Sequence, residues 1–181
     1  MQELEGKRVA VLVEQQYQEL EVWYPVYRLR EAGAEITLVG PEAGKTYPSK
    51  LGYPAKSELS AADASAEDFD AVVIPGGFAP DYLRRSSFIL DFVRDMADQG
   101  KVVAAICHGP AVLCSTPALK GRRATSFFAI KDDVINAGAD WTDEPVVRDG
   151  NLVTSRTPDD LPHFCRSIIE AVVELAPVET R

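Results

Sequence analysis

Cysteine and histidine are scarce in this chain, three and two residues among 181. An odd number of cysteines at irregular spacing, Cys107, Cys114 and Cys165, is no disulfide framework. There is no CxxC pair, and the histidines are His108 and His163 alone. The close ligand pairs of a structural zinc site are therefore missing. Basic charge is also short. Nineteen Lys and Arg against 28 Asp and Glu leave a formal net charge of −9. Such a surface repels nucleic acid phosphates and anionic lipid, and no basic run offsets it. No window reaches the ~18 to 20 apolar residues that span a bilayer. Residues 1–8 are charged and carry no apolar signal segment. The expected setting is a reducing cytoplasm, with neither nucleic acid nor membrane as partner. No GxGxxG follows the first strand and no GxxxxGK[ST] loop is present, so neither nucleotide-binding motif is found.

The remainder is ordinary globular composition, 46% hydrophobic and 26% charged. The length suits one domain with one sizeable core. No linker or repeat divides 1–181, and the ordered core is expected over about 7–175. Lys7–Val13, Ile36–Val39, Asp70–Ile74 and Lys101–Ile106 are short strand candidates, and their apolar runs suit strands buried on both faces. A helix is expected over Glu19–Ala32, with Leu20, Trp23, Tyr24, Tyr27 and Leu29 on its apolar side and Gly33 ending it. Another is expected over Ser86–Gln99, with Phe88, Phe92, Val93 and Met96 inward. Pro41–Tyr53 reads as a turn or hairpin and Ser57–Ala66 as irregular connection. A short helix starts near Pro80-Asp81. Arg123–Ser126 reads as a strand and Ile130–Ala137 as a helix. Val146–Arg148 and Leu152–Ser155 flank the hairpin turn Asp149-Gly150-Asn151. Pro158–Glu174 closes as a helix capped by acidic residues, and the tail after Ala176 is expected to fray. Strands alternating with helices predict a mostly parallel sheet covered on both faces.

The sharpest chemical signal is Val-Val-Ala-Ala-Ile-Cys-His-Gly-Pro over 102–110. A buried strand runs into Cys107 and a helix follows at once. Ala105 and Gly109 flank the turn, and a strand–nucleophile–helix elbow needs such small neighbours. The sulfur would stand at the carboxyl edge of the sheet, where open α/β folds place ligands. A helix N-terminus there would favour a thiolate. Pro75-Gly76-Gly77 breaks the strand expected alongside. Its N–H groups, with that of His108, would form an oxyanion hole, whereas a plain Gly-Gly turn would hold nothing. Cys114 and Cys165, in helical stretches, read as small buried hydrophobes.

These segments resemble a known family. Ala-Ala-Ile-Cys107-His108-Gly-Pro, Val73-Ile-Pro-Gly-Gly77 and Ile130-Lys-Asp-Asp-Val-Ile-Asn-Ala-Gly138 are similar to the PfpI family of the ThiJ/PfpI superfamily. So are Leu20-Glu21-Val-Trp-Tyr-Pro25 and Asp149-Gly-Asn-Leu-Val-Thr-Ser-Arg156. The matches run in order from about 7 to 175, as expected of a single ThiJ/PfpI-type domain. The resemblance implies a flavodoxin-like three-layer α/β sandwich of the class I glutamine amidotransferase-like type, and a homodimer or larger homo-oligomer. It implies Cys107 as nucleophile, His108 as base, Glu21 against the cysteine, and oxyanion donors at Gly77 and His108. Gln18, Gly76 and Phe127 fall at pocket positions. No metal and no cofactor are implied. Asp81 stands where the family has a glutamate that orients the histidine across the subunit interface. Gln18 replaces a second carboxylate of the first helix. Phe127 replaces a tyrosine, which removes a hydroxyl donor.

Each role has a plainer alternative. His108 either turns back over the sulfur or faces solvent at the turn. Asp81 either fixes the His108 tautomer or simply begins a helix after Pro80. Glu21 either shares a proton with Cys107 or is a solvated carboxylate on the opposite face. Lys131-Asp132-Asp133 reads as a solvated charge run and His163 as a surface residue. Two functions compete. One is a cysteine enzyme acting on small carbonyl compounds, glycated proteins or peptides, of deglycase, glyoxalase or protease type. The other is a stress protein without turnover whose Cys107 is oxidised to sulfinic acid. A glutamine amidotransferase is discounted, because no late His-x-Glu pair occurs around Ser155–Asp160.

Overall fold

The structure is a computed structural model describing residues 2–175, so the tail after Ala176 lies outside the described residues. β1 (Arg8–Leu12) leads through α1 (Glu19–Glu31) to β2 (Glu35–Gly40). β3 (Thr46–Pro48) and β4 (Pro54–Lys56) form an antiparallel hairpin before β5 (Leu59–Ser60). Then come β6 (Ala71–Ile74), α2 (Ala79–Leu83), α3 (Ser87–Asp98), β7 (Val102–Ile106) and α4 (Pro110–Leu113). The last elements are β8 (Arg123–Ala124), α5 (Lys131–Asn136), β9 (Asp140–Trp141), β10 (Val146–Asp149), β11 (Leu152–Ser155) and α6 (Leu161–Glu174).

Seven strands form the central sheet in the order β10-β11-β7-β6-β1-β2-β5. All neighbours are parallel except the β10–β11 edge hairpin. Every residue of β6, β7 and β11 is buried, as continuous apolar strands require when helices cover both faces. α1 and α6 pack together against the sheet, and α3 packs on β6 and β7. The architecture is the expected flavodoxin-like sandwich. Among the described residues no helix is long and apolar enough to cross a membrane.

Four local expectations are corrected. α1 buries Glu21, Val22, Pro25, Val26 and Leu29, while Leu20, Tyr24 and Tyr27 are exposed. The helix carries two apolar stripes, and the compact aliphatic one lies on the sheet. In α3 the inward residue is Ile89, and Phe88 is exposed. Ser57–Ala66 is not wholly irregular, because Leu59 and Ser60 extend the sheet beside β2. α6 begins only at Leu161, after a short 3-10 turn over Pro158–Asp160, and the Asp160 side chain gives it no capping bond. That carboxylate instead accepts from Arg156 Nε at 3.0 Å.

Candidate active site

The site forms where three loops meet at the carboxyl ends of β1, β6 and β7. β7 ends at Ile106, and Cys107 adopts φ 62°, the left-handed region. A side-chain-bearing residue there costs about 1 kcal/mol. Hydrogen bonds hold the turn in place. The Cys107 N–H donates to Ser155 O at 3.0 Å, and the Phe127 N–H donates to Cys107 O at 2.9 Å. Gly109 makes the fold-back possible, since a Cβ there would lie 2.5 Å from Ile74 O. The elbow read from the sequence is present.

β6 lies beside β7 in register, which brings Pro75-Gly76-Gly77 against the elbow. This loop is also tied to the β1–α1 loop. The Gln18 N–H donates to Gly76 O at 3.2 Å and the Phe78 N–H to Gln16 O at 2.9 Å. Gly76 is enclosed, because a Cβ would meet Glu21 Oε2 at 2.6 Å and Cys107 Cβ at 2.8 Å. The backbone N–H groups of Gly77 and His108 pull the pKa of the Cys107 thiol down.

Glu21 is completely buried, which removes the solvated alternative. Its Oε2 accepts from the Gly76 N–H at 2.7 Å, while its Oε1 has no partner. Burial lifts this carboxyl from its ordinary 4.5 to about 7, against the opposing pull of the Gly76 donor and the Cys107 thiol. Gln18 caps α1, its Oε1 accepting from the Glu21 N–H at 3.0 Å. An amide carbonyl therefore does the capping that a carboxylate at this position would do.

The sulfur departs from expectation. Burial first, and then the charge of Glu21, push the Cys107 thiol up to about 12. α4 spans only Pro110–Leu113, a single turn whose dipole is too short to offset desolvation. His108 turns back over the sulfur, with Nδ1 3.3 Å from Cys107 Sγ. Its ring stacks on Phe127 at 4.9 Å between centroids. Burial lowers its pKa, Asp81 pulls the other way and Lys50 adds a smaller lowering. Asp81 is exposed at the start of α2 and makes no hydrogen bond to His108 within the chain.

Cys107 is 8% exposed at a cleft of about 250 Å³ lined also by Gln18, Glu21, Gly77, His108 and Phe127. Lys50, Phe78 and Pro158 line it too, and the sequence reading missed all three. Lys50 lies on the expected Pro41–Tyr53 hairpin connection and Pro158 at the expected start of the last helix, both remote from the elbow in sequence, while Phe78 directly follows the Pro75-Gly76-Gly77 break, the signal that could have found it. Cys165 is buried and Cys114 half-buried at the end of α4. Lys131 is half-buried against the Trp141 ring, while Asp132, Asp133 and His163 are exposed away from the cleft. Among the described residues no cluster of three or more His, Cys, Asp and Glu is arranged to hold a metal.

Known proteins share this architecture. General stress protein 18 of Bacillus subtilis is 44% identical over 89% of this chain and 95% of its own. Protein/nucleic acid deglycase 2 of Escherichia coli is 42% identical over 91% of this chain and 96% of its own. A two-domain protein of Anabaena variabilis, with DJ-1/ThiJ/PfpI-like and ferritin-like domains, superposes with a TM-score of 0.89 at 45% identity. That match covers 91% of this chain and 47% of the Anabaena chain, so this chain spans about half of that protein. The sequence profile of the DJ-1/PfpI family matches residues 7–171, and the chain belongs to that family.

Proposed function

We propose that this protein is a cysteine enzyme that acts on small reactive carbonyl compounds and on early glycation adducts of proteins. The observation that carries the reading is the Cys107–His108 pair, 3.3 Å apart, facing two backbone donors. As the sulfur adds to a carbonyl carbon, the thiol proton passes to His108 Nδ1. The carbonyl π electrons move to oxygen, which the Gly77 and His108 N–H groups can receive. Return of the proton to that oxygen gives a hemithioacetal, with nothing oxidised or reduced. A cleft of about 250 Å³ suits a small substrate better than a folded peptide segment. The relative named as a deglycase supports the same chemistry.

The His108 ring needs a partner to hold its tautomer. We infer a homodimer in which Asp81 of a second copy supplies it. The exposed stripe of Leu20, Tyr24 and Tyr27 on α1 is apolar surface for a contact between copies.

The test compares wild type with Cys107→Ala on methylglyoxal, a glycated thiol and a peptide. Turnover of the first two, lost in the variant, is expected. Equal rates in both proteins refute the reading. A second reading, a stress protein without turnover, is favoured by the relative named general stress protein 18. It predicts no turnover of any substrate, with peroxide oxidising Cys107 before Cys114 and Cys165.

A further inference from the structure

The β3–β4 hairpin connection reaches the cleft through Lys50, and the loop that carries it is held on three sides. The Lys50 N–H donates to Tyr17 O at 3.0 Å. Glu19 Oε1 accepts from Ser49 Oγ, and from the Leu51 N–H at 2.6 Å. Ser49 Oγ in turn accepts from the Tyr53 N–H at 2.8 Å. The loop is thereby fastened to the first turn of α1, the helix that carries Glu21. Among the described residues Lys50 is the one Lys or Arg that lines the cleft. Its Nζ stands 5.7 Å from the centroid of the Phe78 ring, which lines the same cleft. Among the described residues it makes no salt bridge.

Beside Glu19 and Glu21, whose carboxyls it already pulls down, this ammonium is a stronger partner for a substrate carboxylate than for a neutral carbonyl oxygen. A chain with a net charge of −9 also repels anions at long range, so local positive charge is what admits one. We propose that Lys50 is a specificity-determining residue that makes the cleft select small carbonyl compounds bearing a carboxylate, with glyoxylate as the simplest member. The carboxylate sits at Lys50 Nζ and the carbonyl carbon at Cys107 Sγ. The addition is the balanced hemithioacetal step given above, and the proposal rests on the reactive-thiol reading of the site.

Two alkylating reagents of nearly equal size separate charge recognition from thiol reactivity. Iodoacetate carries a carboxylate and iodoacetamide does not. Rates at Cys107 are read by mass spectrometry of its peptide in the full chain. The iodoacetate-to-iodoacetamide ratio is expected to fall about fivefold to tenfold in Lys50→Gln at low salt and to survive largely in Lys50→Arg. Raising the salt to about 0.5 M brings the wild-type ratio towards that of Lys50→Gln. Glyoxylate is expected to protect Cys107 from iodoacetamide at lower concentration than methylglyoxal does, an advantage lost in Lys50→Gln. A ratio unchanged by Lys50→Gln, or equal protection by the two carbonyls, overturns the Lys50 assignment and leaves the thiol chemistry standing. Failure of both reagents to modify Cys107 overturns the thiol reading and this proposal with it.

Discussion

Replacing Glu21 by Gln isolates what burial of that carboxyl does to the protein. Glu21 is fully buried, and its pKa rises from 4.5 to about 7 on folding. In the unfolded chain the group loses its proton near 4.5. Between 4.5 and 7 the folded state therefore holds a proton that the unfolded state has released. Stability is highest below 4.5 and falls as pH rises, until Glu21 is ionised in both states. At about 1.4 kcal/mol per pKa unit the loss is about 3 kcal/mol by pH 8. Glutamine has the same shape, can still accept from the Gly76 N–H, and never ionises. The unfolding free energy of Glu21→Gln minus that of wild type is expected to grow by about 3 kcal/mol from pH 4.5 to 8. For a chain of this length that is roughly 6 to 12 °C in Tm. Urea unfolding of both proteins across that range, at one fixed protein concentration, measures it. The absolute offset between the proteins is immaterial, because only its slope with pH carries the argument. A gap that stays constant shows that no buried carboxyl titrates near 7.

Two further outcomes follow from the same geometry. Gly76→Ala places a methyl 2.6 Å from Glu21 Oε2 and 2.8 Å from Cys107 Cβ. It is expected to cost about 2 to 4 kcal/mol of stability and to slow alkylation of Cys107 by at least about tenfold; wild-type values for both would contradict the enclosed elbow. If Asp81 acts across a dimer, mixing inactive Asp81→Asn with inactive Cys107→Ala restores activity through hybrid sites; confirmed hybrid dimers that remain inactive remove that role.

Much of the site could be read from the sequence because its parts have local causes. The elbow follows from an apolar run, a small residue on either side and a helix start, all within 102–110. The Gly76-Gly77 loop follows from a strand that stops abruptly, and its position beside the elbow follows from parallel strand order. Other features depend on which way a surface turns. Periodicity shows that α1 has an apolar stripe. It does not tell the Val22, Val26 and Leu29 stripe, which packs on the sheet, from Leu20, Tyr24 and Tyr27, which face out. Phe88 and Ile89 are adjacent apolar residues, and a shift of one position exchanged them. Lys50 was invisible for a different reason. It lies on an exposed hairpin connection, and only the folding of that loop onto α1 brings it to the cleft.

The expectation of a preformed thiolate failed on magnitude, and the way it failed bears on mechanism. A one-turn helix supplies less than burial removes, so the resting sulfur holds its proton. Yet Glu21 and Cys107 are one titrating unit, with charge that belongs to the pair. A thiol beside a carboxylate and a thiolate beside a carboxylic acid contain the same number of protons. Glu21 Oε2 receives one backbone donor, from Gly76. The Gly77 and His108 N–H groups pull the thiol's pKa down, and Oε1 has no partner of its own among the described residues. A proton on Glu21 would remove the negative charge that raises the thiol's pKa. With the carboxyl at about 7 and the thiol at about 12, the second arrangement lies roughly 7 kcal/mol above the first, so the resting site holds the proton on sulfur. In the proposed addition the proton leaves the sulfur for His108 Nδ1, and a neutral Glu21 would make the buried thiolate less costly by taking away the carboxylate charge that opposes it.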